Sequence, residues 1–97
     1  MHRILQVSYD LRTKAKPDYE GLYQELKRTE EWFHALESTW LLWTDESPQD
    51  VWNRLYQHVH RTDSIIINDV GKRHWGYMPE KVWEWIAARE PSLIRAY

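Results

Sequence analysis

A carboxylate at the end of an extended segment is the first group in this chain whose type and position suit chemistry. It is Asp10, in the run Ile4-Leu5-Gln6-Val7-Ser8-Tyr9-Asp10-Leu11-Arg12. Leu5, Val7, Tyr9 and Leu11 alternate onto one face and Ile4, Gln6, Ser8 and Asp10 onto the other, which is the period of a strand. The polar run 12–17 that follows reads as a loop, and strand ends beside loops are where α/β sheets place reactive groups. The competing role for Asp10 is structural: it would cap the turn before Pro17 or pair with Arg12. Asp69, closing a later extended run, either joins Asp10 or simply stops its own strand.

The second candidate is the loop Gly71-Lys72-Arg73-His74-Trp75-Gly76-Tyr77, the one basic-aromatic cluster in the chain. Rings beside Lys or Arg can stack a base and hold a phosphate without the protein being basic overall. His74, set between Arg73 and Trp75, is the imidazole worth a mutation. The other histidines, His2, His34, His58 and His60, show no metal spacing, since positions 58 and 60 point apart on a helix. Ser8, Ser38 and Thr39 lie in no recognisable nucleophile motif, and no glycine loop cradles a phosphate.

Around these groups the chain alternates extended and helical patterns. Pro17 opens a helix with Asp18 and Glu20 in its first turn, and Tyr19, Leu22, Tyr23 and Leu26 recur at helical spacing, with Phe33 continuing the face. Gly21 inside it costs on the order of 1 kcal/mol against Ala, which marks a close approach of neighbouring backbone. Phe33 to Thr44 reads as one long strand bent or bulged near Glu37-Ser38, because no Gly, Pro or Asn punctuates it. Ser47, Pro48 and Asp50 form an N-cap signature for a helix whose buried stripe is Trp52, Leu55 and Val59, with Val51 and Tyr56 at the margins. Asp63 to Val70 is a strand with a β-branched centre. Pro79 starts a third helix with Val82, Trp83 and Ile86 as its stripe, and Pro91 ends it. The order predicts a single α+β domain over 1–97, an open sheet with helices on one face. If the bent strand counts as two, this is a ferredoxin-like βαββαβ arrangement with an additional C-terminal helix. A central strand apolar on both faces, with Trp40 and Leu42 against Leu41 and Trp43, needs a second cover, for which a second copy of the chain is the natural expectation.

Composition narrows the function classes. With 97 residues there is room for one core, and a formal net charge of −2 argues against strong backbone-driven nucleic-acid binding. The 7 Trp and 6 Tyr exceed ordinary usage and suit buried interfaces, so a homodimer is expected. Trp40, Trp43, Trp52 and Trp83 are expected in the core or a dimer interface. There is no Cys, which removes disulfides and thiolate chemistry, and no apolar run approaches a membrane span or signal segment. A soluble, cytoplasmic protein without membrane association follows as the expectation.

Three stretches together resemble a known group: Ser8-Tyr9-Asp10-Leu11, Glu37-Ser38-Thr39-Trp40 and Asp63-Ser64-Ile65-Ile66. They are similar to the second CRISPR-associated core protein (Cas-two), the VapD-type toxin ribonucleases and the small SinR-like proteins, over roughly residues 3 to 70. The resemblance implies a ferredoxin-like homodimer with sheets packed face to face. In some members it implies Mg²⁺-dependent cleavage of RNA or DNA, and in others a structural role at the centre of the spacer-integration complex. By position, the family aspartate matches Asp10 and the strand serine matches Ser38. Asp10 would be the catalytic and metal residue, two copies holding one Mg²⁺ across the dimer axis. Ser8, Tyr9, Arg12, Ser38, Lys72, Arg73, His74 and Trp75 would contact nucleic acid or nucleotide. The chain departs from the family at Trp40-Leu41-Leu42-Trp43 and from Gly71 onward. The alternative is a non-catalytic module that captures a nucleotide or a protein partner through its aromatic surface.

Overall fold

In the computed structural model, residues 1–12, 19–71 and 74–89 are described. Strands β1 (Arg3–Asp10), β2 (Glu31–Leu36), β3 (Thr39–Thr44) and β4 (Ser64–Asp69) form one sheet in the order β2-β3-β1-β4, every neighbouring pair antiparallel. Helices α1 (Glu20–Lys27), α2 (Pro48–Leu55) and α3 (Glu80–Arg89) complete an α+β fold. The expected helix starts at Pro17 and Asp18, and the stop at Pro91, lie outside the described residues.

The alternation in β1 divides the core in two. Leu5 and Val7 join Trp40 and Leu42 on the near face, under Leu22 and Leu26 of α1 and Val51 and Leu55 of α2. Ile4 and Leu41 point to the far face, where Val82, Trp83 and Ile86 of α3 cover them. The helices therefore do not share one face: α3 supplies part of the second cover that β3 requires, from the same chain. No helix among the described residues is long and apolar enough to cross a membrane.

Three local expectations are corrected. Residues 31–44 make a hairpin with a tight turn at Glu37-Ser38, not one bent strand. The turn needs no Gly or Asn because no described residue has a positive φ. A register shift between Phe33 and Leu36 absorbs the misfit, and Glu37 and Ser38 are tied down by their carbonyls, which accept from His34 Nε2 at 3.0 Å and the Tyr9 amide at 3.1 Å. Phe33 does not extend the face of α1, which ends at Lys27, but packs in β2 against the far-face cluster. In α2 the capping box at Ser47 and Asp50 forms as read, while the buried positions are Val51 and Leu55. Trp52 is only partly buried, and Val59 falls beyond a short 3₁₀ turn at Tyr56–His58.

Candidate ligand cleft and the end of the first strand

Among the described residues, α3 covers the far face over Ile4 and Leu41, and toward Asp10, Ser64, Ile66 and Asn68 that face is exposed. Toward that side, Gln6, Ser8 and Asp10 run along β1 beside Thr39 of β3, and Ser64, Ile66 and Asn68 stand opposite them on β4. Gln6 Nε2 donates to Ser8 Oγ at 3.1 Å, and Ser8 Oγ lies 3.2 Å from Thr39 Oγ1. This polar row leads into a cleft of about 330 Å³. Gln6, Thr39 and Leu41 form its floor, His74, Trp75 and Tyr77 one wall, and Trp83 and Ile86 of α3 the other. A second hollow of about 380 Å³ lies against the same 75–78 segment, so that segment stands as an aromatic ridge between two cavities. Trp75 keeps 69 % of its surface in water, and Tyr77 is fully exposed.

His74 ties the ridge to the fold. Its Nδ1 lies 2.6 Å from the Gly71 carbonyl, an acceptor, so Nδ1 carries the hydrogen and Nε2 is left as the other ring position. Nε2 is buried with no hydrogen-bond partner among the described residues, and the ring stacks on Trp83 at 5.8 Å. An unsatisfied buried polar atom costs about 1–3 kcal/mol, a debt that a donor entering the cleft with a small turn of the loop would relieve.

Of the residues singled out from the sequence, His74 and Trp75 line this cleft, and Ser8 stands behind it, bonded to the lining residues Gln6 and Thr39. Lys72 and Arg73 lie outside the described residues. Asp10 stands at the far end of the same row, more than half exposed, with its Oδ2 accepting from Arg12 Nε at 2.9 Å. Among the described residues no group of three His, Cys, Asp or Glu side chains gathers to hold a metal, and Asp69 lies 3.9 Å from Arg3 at the opposite end of the sheet. Tyr9 turns away to the near face: its hydroxyl accepts from Trp40 Nε1 at 2.9 Å, and burial pushes its pKa above the usual tyrosine value, with the Trp40 bond opposing. Ser38 sits exposed in the hairpin turn.

Two polar features escaped the sequence reading. Asp63 ties three segments together, accepting from the Arg12 amide at 2.7 Å, Tyr19 Oη at 2.8 Å and the His60 amide at 2.9 Å. Arg54 is the other. Its Nε and Nη2 reach both oxygens of Glu46, at 2.9 and 3.0 Å, while Nη2 also donates to Thr29 Oγ1 at 2.7 Å and Nη1 to the Glu25 carbonyl. These bonds to Arg54 hold the Glu46 carboxyl below its ordinary pKa, against the opposing effect of burial. The i,i+4 and capping rules see only contacts within one element, so neither tie was visible beforehand.

Comparisons with family models, curated proteins and solved structures find no match to this chain.

Proposed function

We propose that this chain is a ferredoxin-like binding module that holds a nucleotide unit, free or within a single strand, with its base in the far-face cleft. The observation that carries the reading is the cleft itself: an exposed aromatic wall at Trp75 and Tyr77 over a floor whose polar groups are Gln6 and Thr39. Binding sites of this kind are mostly apolar with a few placed polar groups. The sheet order β2-β3-β1-β4, with one helix between β1 and β2 and one between β3 and β4, supports the ferredoxin-like description and, with it, the Cas-two, VapD and SinR-like resemblance. Titrating mononucleotides and short single-stranded RNA and DNA while following tryptophan fluorescence tests it. Saturable quenching is expected, and Trp75→Ala should weaken binding by about fivefold or more, since one base-aromatic stack is worth about 1–3 kcal/mol. No response to any of these ligands ends the reading.

A second reading, Mg²⁺-dependent cleavage of RNA or DNA, is favoured by the exposure of Asp10 at the open end of the same row. One carboxylate supplies too few ligands for a hard cation, so this version needs a homodimer that brings two Asp10 side chains together. A second copy has a place to sit, the uncovered part of the far face, where Ile66 keeps 62 % exposure. The expected result is Mg²⁺-dependent cleavage by purified protein that Asp10→Ala abolishes. Cleavage that survives this change removes Asp10 as the catalytic and metal residue, and the absence of cleavage in clean preparations leaves a non-catalytic module.

A further inference from the structure

The geometry points to the outer edge of β4 as the seam of a homodimer, in which two copies of this chain pair β4 against β4 in antiparallel order and continue the four-stranded sheet from one copy into the other. β4 ends the order β2-β3-β1-β4, so among the described residues no strand pairs its outer side. The Val70 amide donates to the Ile4 carbonyl at 2.9 Å, and bonded pairs alternate along an antiparallel ladder. Ser64, Ile66 and Asn68 therefore turn their backbone groups toward β1, and Ile65, Ile67 and Asp69 turn theirs outward.

An edge that stays unpaired normally carries a charge, a Pro, a bulge or a covering segment that blocks pairing. The other edge, β2, is so protected: its ladder shifts register between Phe33 and Leu36, and Arg89 of α3 reaches its Glu31 at 2.6 Å. From Ser64 to Asn68, β4 has no charge and no Pro, and its register with β1 is unbroken. Apolar surface is also left open there. Ile67 stands beside the fully buried Val7 yet is only partly buried itself, and Ile66 keeps 62 % exposure. A hollow of about 330 Å³ runs along this edge, between Pro48, Gln49 and Trp52 of α2 and the Ile65-Ile66-Ile67 run.

A second copy fits this edge because the edge is complementary to itself. A two-fold axis at Ile67 sets that residue against its own equivalent and Ile65 against Asp69, so every outward N–H and C=O group meets a partner. No carboxylate faces another in this register, whereas an axis at Ile66 would oppose Asp63 to Asp69. Ile67 of each copy then stands at the mouth of the other's hollow, beside Trp52. This is not the dimer that metal-dependent cleavage requires. Asp10 lies level with Ser64, and the register carries the second Asp10 on the order of 20 Å away.

Sedimentation equilibrium of the intact chain over a range of concentrations, with amide hydrogen exchange measured alongside, tests the seam. The wild type should form dimers, and the Ile65, Ile67 and Asp69 amides should gain protection in step with the dimer fraction, which packing of sheet faces would not produce. Ile66→Lys, at an exposed side chain, should raise the dissociation constant by about tenfold, since the change occurs on both sides of the axis, while its circular dichroism matches the wild type. In a chain with no Cys of its own, Ile67→Cys should give a disulfide-linked dimer on mild oxidation, and Tyr77→Cys, fully exposed elsewhere, should not. A wild type that stays monomeric overturns the proposal and leaves the edge to a strand of another protein. A dimer whose edge amides stay unprotected, or in which Ile67→Cys links no better than Tyr77→Cys, overturns it as well and puts the second copy elsewhere.

Discussion

Arg54 shows what a single side chain contributes when three elements converge on it. It bridges the C-terminal end of α1, the residues just beyond β3, and α2, through Glu25, Thr29 and Glu46. Both ion-pair partners are only partly exposed, 22 % for Arg54 and 28 % for Glu46, so solvent screens the pair less than it would at the surface. Removing the guanidinium leaves Glu46 and Thr29 without their shared donor. Arg54→Met should cost on the order of 2 kcal/mol in urea unfolding at neutral pH, less than breaking a fully buried pair. The pH dependence has a definite sign. The folded-state pKa of Glu46 is depressed, so its contribution is present above the ordinary glutamate range and is lost as pH falls through the lower folded value. Wild type should therefore lose more stability than Arg54→Met between about pH 6 and about pH 3, and equal losses would show that the clasp is not what acid disrupts. At this scale Asp10 was legible as an exposed strand-end carboxylate, and its pairing with Arg12 was among the roles weighed. Arg54 and Asp63 were not legible, because apart from the His60 amide, three residues from Asp63, their partners are 8 to 51 residues away in sequence and no periodicity encodes such contacts.

Among the elements, α1 and the turn after α2 are matched to each other at one point. Gly21 was read as a close approach of backbone, and the neighbour is instead the His58 ring: a Cβ at position 21 would come within 2.6 Å of Nδ1 and 3.0 Å of Cε1. Two effects then oppose each other in Gly21→Ala. Helix propensity favours Ala by about 1 kcal/mol, while the overlap forces the ring aside and disturbs the 3₁₀ turn that carries it. We expect Gly21→Ala to destabilise the wild type by roughly 1 kcal/mol and to stabilise a His58→Ala background by up to about the same amount. A double-mutant cycle by chemical denaturation measures the coupling, and additive effects would mean that the ring yields freely. The elements themselves were largely readable. Strand alternation in β1 and the Ser47, Pro48 and Asp50 cap of α2 are local patterns with local causes, and both appear in the fold. The β2–β3 hairpin was missed because its turn uses neither Gly nor Asn and is held by contacts from Tyr9 and His34, which act through the tertiary structure.

For the molecule as a whole, the two faces of the sheet are closed by different means. On the near face, two helices join Leu5, Val7, Trp40 and Leu42 in a continuous cluster, whereas the far-face cluster depends on one helix, α3, entered through the 74–79 segment, of which Trp75, Gly76, Tyr77 and Pro79 are exposed. The sequence showed that β3 is apolar on both sides, yet not which segment would answer, since an amphipathic stripe states only that a helix is buried against something. Unequal closure has a dynamic consequence. Local opening follows the buried apolar area that must be re-exposed, so α3 should detach from the sheet at lower free energy than the near-face helices do. Native-state hydrogen exchange should then find the α3 amides, around Val82 to Ile86, exchanging through a sub-global opening. The central amides of β1 and β3 should exchange only on global unfolding. Val82→Asp, which places a charge at a fully buried position, should lower protection in α3 much more than in β1, because the near-face core does not include it. Because α3 and the 75–78 ridge form two walls of the cleft, a ligand seated there should raise the protection of α3 selectively. If α3 and β1 instead share one protection level in every variant, the two layers open as a single unit. The cleft would then be a rigid feature of the core, with no coupling to helix docking.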